Sequence, residues 1–66
     1  MDMRFTINKK YRLKQDFTDA ALGKIPQGMT VTFIATNAGS CRFKLPNGKQ
    51  FDVAEKSALN LMEELR

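Results

Sequence analysis

Histidine and tryptophan are absent from this 66-residue chain, and cysteine and tyrosine occur once each, as Cys41 and Tyr11. Each absence removes a class of function. Without histidine, neither a Ser/His/Asp nor a Cys/His nucleophile can be assembled. The same gap leaves Cys41 without partners for a Cys/His metal site. One cysteine cannot form an intrachain disulfide, and a free thiol suits a reducing compartment. The carboxylates are scattered and no glycine-rich phosphate loop is present, so no enzyme, cofactor, metal or small-molecule substrate is expected. The opening "MDMRFTINKK" has no apolar core of a signal peptide. No apolar run approaches the roughly 20 residues that would span a bilayer. The expectation is a soluble cytoplasmic protein with no membrane association.

Cations are what the chain does have. Eleven Lys and Arg face seven Asp and Glu, a formal net charge of +4. Residues 1–24 and 25–53 are net basic, and residues 54–66 are net acidic. A basic body attracts polyanions, although the same charge also keeps a small domain soluble. At this length the chain is expected to form a single domain over residues 1–66, which buries limited surface.

The clearest element is "MTVTFIAT" at 29–36. Met29, Val31, Phe33 and Ala35 alternate with Thr30, Thr32 and Thr36, and Ile34 interrupts the pattern. This predicts a strand with one buried face. "IPQG" before it and "NAGS" after it are turn chemistry. "CRFKL" is the next strand, with Cys41, Phe43 and Leu45 facing in. "LPNGK" contains Asn-Gly, which suggests a two-residue turn. That register would set Phe43 against Asp52 and Leu45 against Gln50, mixing core and solvent faces. A three-residue loop of Pro46, Asn47 and Gly48 repairs it. Phe43 then faces Phe51, Cys41 faces Val53, Lys44 faces Gln50 and Arg42 faces Asp52. Val31, Phe33, Phe43, Phe51, Val53 and Leu61 are expected in one core.

Toward the N-terminus, "RFTI" and "KYRLK" both alternate, with Phe5, Ile7, Tyr11 and Leu13 inward. They read as two short strands around "NKK" or one bent strand. Residues 15–28 read as a long loop with one helical turn, capped by Asp16 or Thr18 and stopped at Gly23. The body thus spans 1–53, and residues 54–66 are expected to be a helix. Asp52 with Glu55 suggests a capping box and Ser57 a second cap. Ala58, Leu61, Met62 and Leu65 form the inward stripe, and Leu59 widens it. Glu63 and Glu64 would then sit at the negative end of the helix dipole, where they cost a little.

The order, a first strand, a long loop with few acids, three closely connected strands and a helix, resembles the small SH3-like β-barrels over residues 10–53. The fold class expected is mainly β with a C-terminal α-helix, a barrel of about five short strands. Such barrels host unrelated functions, so the resemblance implies a scaffold and no activity. The groove of peptide-binding SH3 domains is lined by Trp and Tyr beside an acidic loop. This chain has no Trp, one Tyr, and only Asp16 and Asp19 in that loop. The nucleic-acid-binding and ribosome-associated barrels carry basic strands and loops, as this chain does.

Lys9, Lys10, Arg12 and Lys14 lie on or beside the first strand, and Arg42, Lys44 and Lys49 on the hairpin. Alternation sets Arg12 and Lys14 on one face, and likewise Arg42 and Lys44. These seven residues are the candidate phosphate contacts of a nucleic-acid or ribonucleoprotein partner. The competing reading is a solvated β face with lysines that block edge pairing. The alternative function is a protein-interaction module, adaptor or inhibitor, that uses the helix or the long loop, with a protein partner or a second copy as its occupant.

Overall fold

The hairpin read from residues 40–53 anchors the architecture. β4 (Thr30–Asn37), β5 (Ser40–Lys44) and β6 (Gln50–Ala54) form an antiparallel meander in the computed structural model, which describes residues 5–65. Phe43 lies opposite Phe51, Cys41 opposite Val53, Arg42 opposite Asp52 and Lys44 opposite Gln50, the register that the side-chain faces require. Gly48 holds φ at +91°, and its N–H donates to the Leu45 carbonyl at 2.9 Å. The Asn47 side-chain oxygen accepts from the Lys49 N–H at 2.9 Å. The β4–β5 turn is tighter. Asn37 faces Ser40 across Ala38 (φ 49°) and Gly39 (φ 82°). Two left-handed residues make a type I′ turn, whose twist matches that of the strands.

Ile34 marks a bulge. Phe33 lies opposite Phe43, yet Ala35 lies opposite Arg42, so one extra residue sits on β4. Beyond a bulge, inside and outside exchange. Ala35, expected to face the core, therefore shares the outer face with Arg42, and Thr36 lies opposite the buried Cys41.

β1 (Lys10–Leu13) pairs with the other side of β4, with Tyr11 opposite Val31, and Tyr11 and Leu13 are buried as expected. The "RFTI" segment forms no strand among the described residues, and Arg4 lies outside them. Asn8 adopts φ 71°, and the Lys9 N–H donates back to the Thr6 carbonyl. This turn pushes Ile7 outward, 61% exposed, contrary to its expected inward position. Phe5 still packs on the core, with its ring against Tyr11, Phe33 and Phe43.

Two further expectations are corrected. Residues 15–28 hold a second hairpin, β2 (Phe17–Asp19) against β3 (Gly23–Ile25), in place of an irregular loop. Its turn is capped by Asp19, whose Oδ2 accepts from the N–H groups of Ala21 and Leu22; Asp16 and Thr18 do not cap it. Asp16 instead closes the base of the hairpin, accepting from the Gln27 N–H at 2.7 Å and pairing with Lys24 at 3.2 Å. The helix expected over 54–66 is only α1 (Glu55–Leu61). Ala54 is its N-cap and no side chain caps it, so neither the Asp52–Glu55 box nor Ser57 acts as foreseen. The chain then extends as β7 (Met62–Glu64) alongside β1, with Met62 opposite Leu13 and Glu63 opposite Arg12. A longer helix would have held two glutamates at its negative end. The strand places them beside cations instead.

The main sheet runs β6-β5-β4-β1-β7, with β2-β3 separate. Its inner face carries Tyr11, Leu13, Val31, Phe33, Cys41, Phe43, Phe51 and Val53, and Ile25, Leu45, Ala58, Leu61 and Met62 complete the core. Each large apolar side chain so buried contributes about 1.5–3 kcal/mol. No polar or charged residue is buried among those described. Among the described residues no helix is long and apolar enough to cross a membrane.

Candidate nucleic-acid interface

The outer face of the sheet collects the residues that alternate with the core. Lys10 lies opposite Thr32, Thr32 opposite Lys44, and Lys44 opposite Gln50, one row across β1, β4, β5 and β6. Two inter-strand steps separate Lys10 from Lys44, about 10 Å between backbones. Both lysines are exposed, and neither has an acidic partner among the described residues.

The rows on either side are ion-paired. On one side Arg12 lies between Thr30 and Glu63, and its Nη2 donates to Glu63 Oε1 at 2.9 Å. On the other, Arg42 lies between Ala35 and Asp52. Its Nε donates to Asp52 Oδ1 at 2.9 Å and its Nη2 approaches Oδ2 at 3.4 Å. The Arg42 hydrogen bond pulls the Asp52 carboxyl below the usual carboxylate range, and Asp52 in return raises the guanidinium. Four cations and two carboxylates thus occupy three rows otherwise made of threonine, glutamine and alanine.

Of the seven cations expected to act together, Lys10, Arg12, Arg42 and Lys44 share this face. Lys14 follows the end of β1, exposed, its N–H donating to the Leu61 carbonyl at 2.7 Å. The residue in the row of Lys44 is Lys10, and Arg12 lies in the neighbouring row opposite Glu63. Lys9 is elsewhere: its ammonium pairs with Glu64, which raises its pKa. Lys49 lies in the β5–β6 turn, beside a different depression of about 230 Å³, lined by Leu22, Pro26, Met29 and Leu45 and by Lys24 and Lys49.

Sequence reasoning missed the carboxylate that balances Arg12, because a helix over 54–66 keeps Glu63 away from β1. It also missed a depression of about 280 Å³ at the β4–β5 turn, lined by Ala35, Asn37, Ala38, Ser40, Arg42 and Asp52. Ile34 was the available signal, since a broken alternation is how a bulge shows in a sequence. Cys41 is buried, and loss of solvation pushes its thiol pKa up, so it is a packing residue here. Among the described residues no three of Cys, Asp and Glu come close enough to hold a metal ion. No protein-family model, curated protein or solved structure matches the chain.

Proposed function

We propose that the protein is a non-catalytic binding module, built as a small SH3-like β-barrel, whose outer sheet face binds nucleic acid, free or within a ribonucleoprotein. The barrel reading is supported by the strand order β6-β5-β4-β1-β7, by the long first connection with its own hairpin, and by the short helix between the last two strands. The bulge in β4 bends the strand that both halves of the sheet share. A reducing, cytoplasmic setting suits the free Cys41.

The observation that carries the function is the row Lys10–Thr32–Lys44, two free ammoniums flanking a small polar side chain. Phosphates bind such a row by releasing counterions, without reading sequence. The face has no exposed large aliphatic side chain. Ile7, the one exposed large apolar residue among those described, precedes β1 and is not part of it. The helix offers a partner little, because Ala58 and Leu61 turn inward and Lys56, Ser57 and Asn60 face solvent.

The test is a titration of labelled DNA and RNA at two salt concentrations. The parent binds at low salt and weakens steeply as salt rises. Lys10→Glu with Lys44→Glu lowers the log–log salt slope by about 2 and weakens binding at least about ten-fold. Glu63→Gln, which frees Arg12, tightens it. None of these changes moves the melting temperature much, because exposed charges contribute little to stability. No binding by the parent at low salt refutes the proposal. The second reading, docking of an acidic protein segment in the Lys24–Lys49 depression, then takes its place, favoured by the apolar lining between two cations.

A further inference from the structure

The depression at the β4–β5 turn combines features that a phosphate contact alone does not require. We propose that it holds a single unstacked nucleobase, so that the nucleic acid bound by this face is single-stranded; the proposal rests on the outer face being a nucleic-acid surface.

The depression belongs to that face. Arg42 and Lys44 alternate outward on β5, two residues and roughly 7 Å apart. A phosphate on Lys44 can therefore deliver its own base toward Arg42. Two small apolar side chains are part of the lining there. The bulge at Ile34 turns the Ala35 methyl outward, where regular alternation would bury it. Ala38 contributes a second methyl while holding φ at 49°, a conformation that Asn or Gly adopts more readily. The turn thus carries alanine where its own geometry favours other residues, and the methyl it gains lines the depression.

The remaining lining residues, Asn37, Ser40, Arg42 and Asp52, are polar, and the Arg42 guanidinium is planar as well. Arg42 is held to Asp52 through Nε and Nη2, along one edge of the guanidinium. A guanidinium fixed by its edge keeps a flat face free, and unpaired bases stack on such planes. Asn37 and Ser40 make no side-chain hydrogen bond with the described residues, which leaves an amide and a hydroxyl to meet a base edge. About 280 Å³ is room for one heterocycle. A base still in a duplex would first have to leave its stack, at a cost in affinity.

The experiment compares short labelled homopolymer single strands with a duplex at low salt, and follows backbone amides by NMR during titration with AMP, CMP, GMP and UMP. The parent is expected to bind single strands about ten-fold or more tightly than duplex, the size of one good base contact, and to distinguish among homopolymers. Mononucleotides should shift the amides of residues 35–42. Asn37→Ala removes the base-edge contact. Ala35→Val fills the depression with a residue suited to a strand, and its melting temperature reports that it folds. Each should lower single-strand affinity about ten-fold and leave duplex affinity unchanged. Equal binding of single strand and duplex by the parent, or full single-strand affinity in both variants, overturns this inference alone. Absence of all polynucleotide binding by the parent at low salt overturns the reading of the face with it.

Discussion

Phe43 is the side chain on which the fold depends most directly, and truncating it is the sharpest test of the core. It is fully buried on β5, with its ring centroid 5.4 Å from Phe5, 5.5 Å from Phe33, 5.8 Å from Phe51 and 6.4 Å from Tyr11. Phe→Ala in a packed interior costs about 3–5 kcal/mol through lost transfer energy and the cavity left behind. Aromatic pairs add about 0.5–1.5 kcal/mol each beyond area, so this site belongs at the upper end. At roughly 0.05–0.15 kcal/mol per residue, 66 residues provide only about 3–10 kcal/mol in total. Phe43→Ala should therefore be unfolded or nearly so at room temperature. Phe43→Leu keeps most of the volume and loses the ring contacts, at about 1–2 kcal/mol, which lowers the melting temperature by about 5–15 °C. Thermal and urea unfolding followed by far-UV circular dichroism and by the fluorescence of Tyr11, the single tyrosine, measure both. If Phe43→Ala melts within a few degrees of the parent, Phe43 is not in the core and the β5 face assignment fails.

Gly48→Ala should destabilise by about 1 kcal/mol or more; a Cβ there would meet nothing within 4 Å, so the cost isolates the positive φ, and an unchanged denaturation midpoint would reject the three-residue loop. Ala38→Asn should stabilise by about 0.5–1 kcal/mol, because Asn-Gly is the preferred type I′ pair, and a lower melting temperature would contradict that turn. Asp16 and Asp52 have carboxyl pKa values depressed by the Gln27 N–H and by Arg42 respectively. Their contribution is complete above the unfolded pKa of about 3.9 and is lost as pH falls through the lower folded values. Melting temperature should therefore drop as pH falls below about 4, less steeply in Asp52→Asn, and an unchanged acid limb in that variant would reject the pair. Cys41 should react with a thiol reagent only slowly until urea opens the core, whereas rapid labelling of the native protein would place it at the surface.

What the sequence disclosed depends on the distance over which each signal acts. The β5–β6 register was legible because Phe43, Cys41, Phe51 and Val53 can share a face in only one way across a short loop. The i, i+3, i+4, i+7 spacing of Ala58, Leu61, Met62 and Leu65 was misleading, since a helix that stops at Leu61 and a strand that buries Met62 share most of that pattern. The adjacent Glu63 and Glu64 were the contrary sign. They resolve only through β1, which lies 51 residues away at the Arg12–Glu63 contact. β2 and β3 were illegible for another reason: three residues each, with Phe17, Thr18 and Asp19 against Gly23, Lys24 and Ile25, are too short to show a period. The candidate site follows the same division. Its cations were visible one by one, but their partners, and the depression made by the bulge, exist only once distant strands pair.

The placement of the two carboxylates on the outer face lets one surface stabilise the fold and, under the proposed function, still take a ligand. β6 and β7 are the edge strands, and each carries one outward acid, Asp52 and Glu63, paired to an arginine on its inner neighbour. Cross-strand pairs of opposite charge favour one register, and charge on an edge discourages pairing with another chain. Both functions are served at the margins of the sheet. The middle row, Lys10–Thr32–Lys44, takes no part in them and keeps its charge uncompensated. A polyanion that approaches this face meets free ammoniums at the centre and already oriented guanidiniums at either side. Exposed ion pairs are weak, so a phosphate can displace Glu63 from Arg12 without disturbing the strands beneath. Under the proposed function, the acids tune how strongly the face attracts a polyanion, and the lysines between them determine where the polyanion lies.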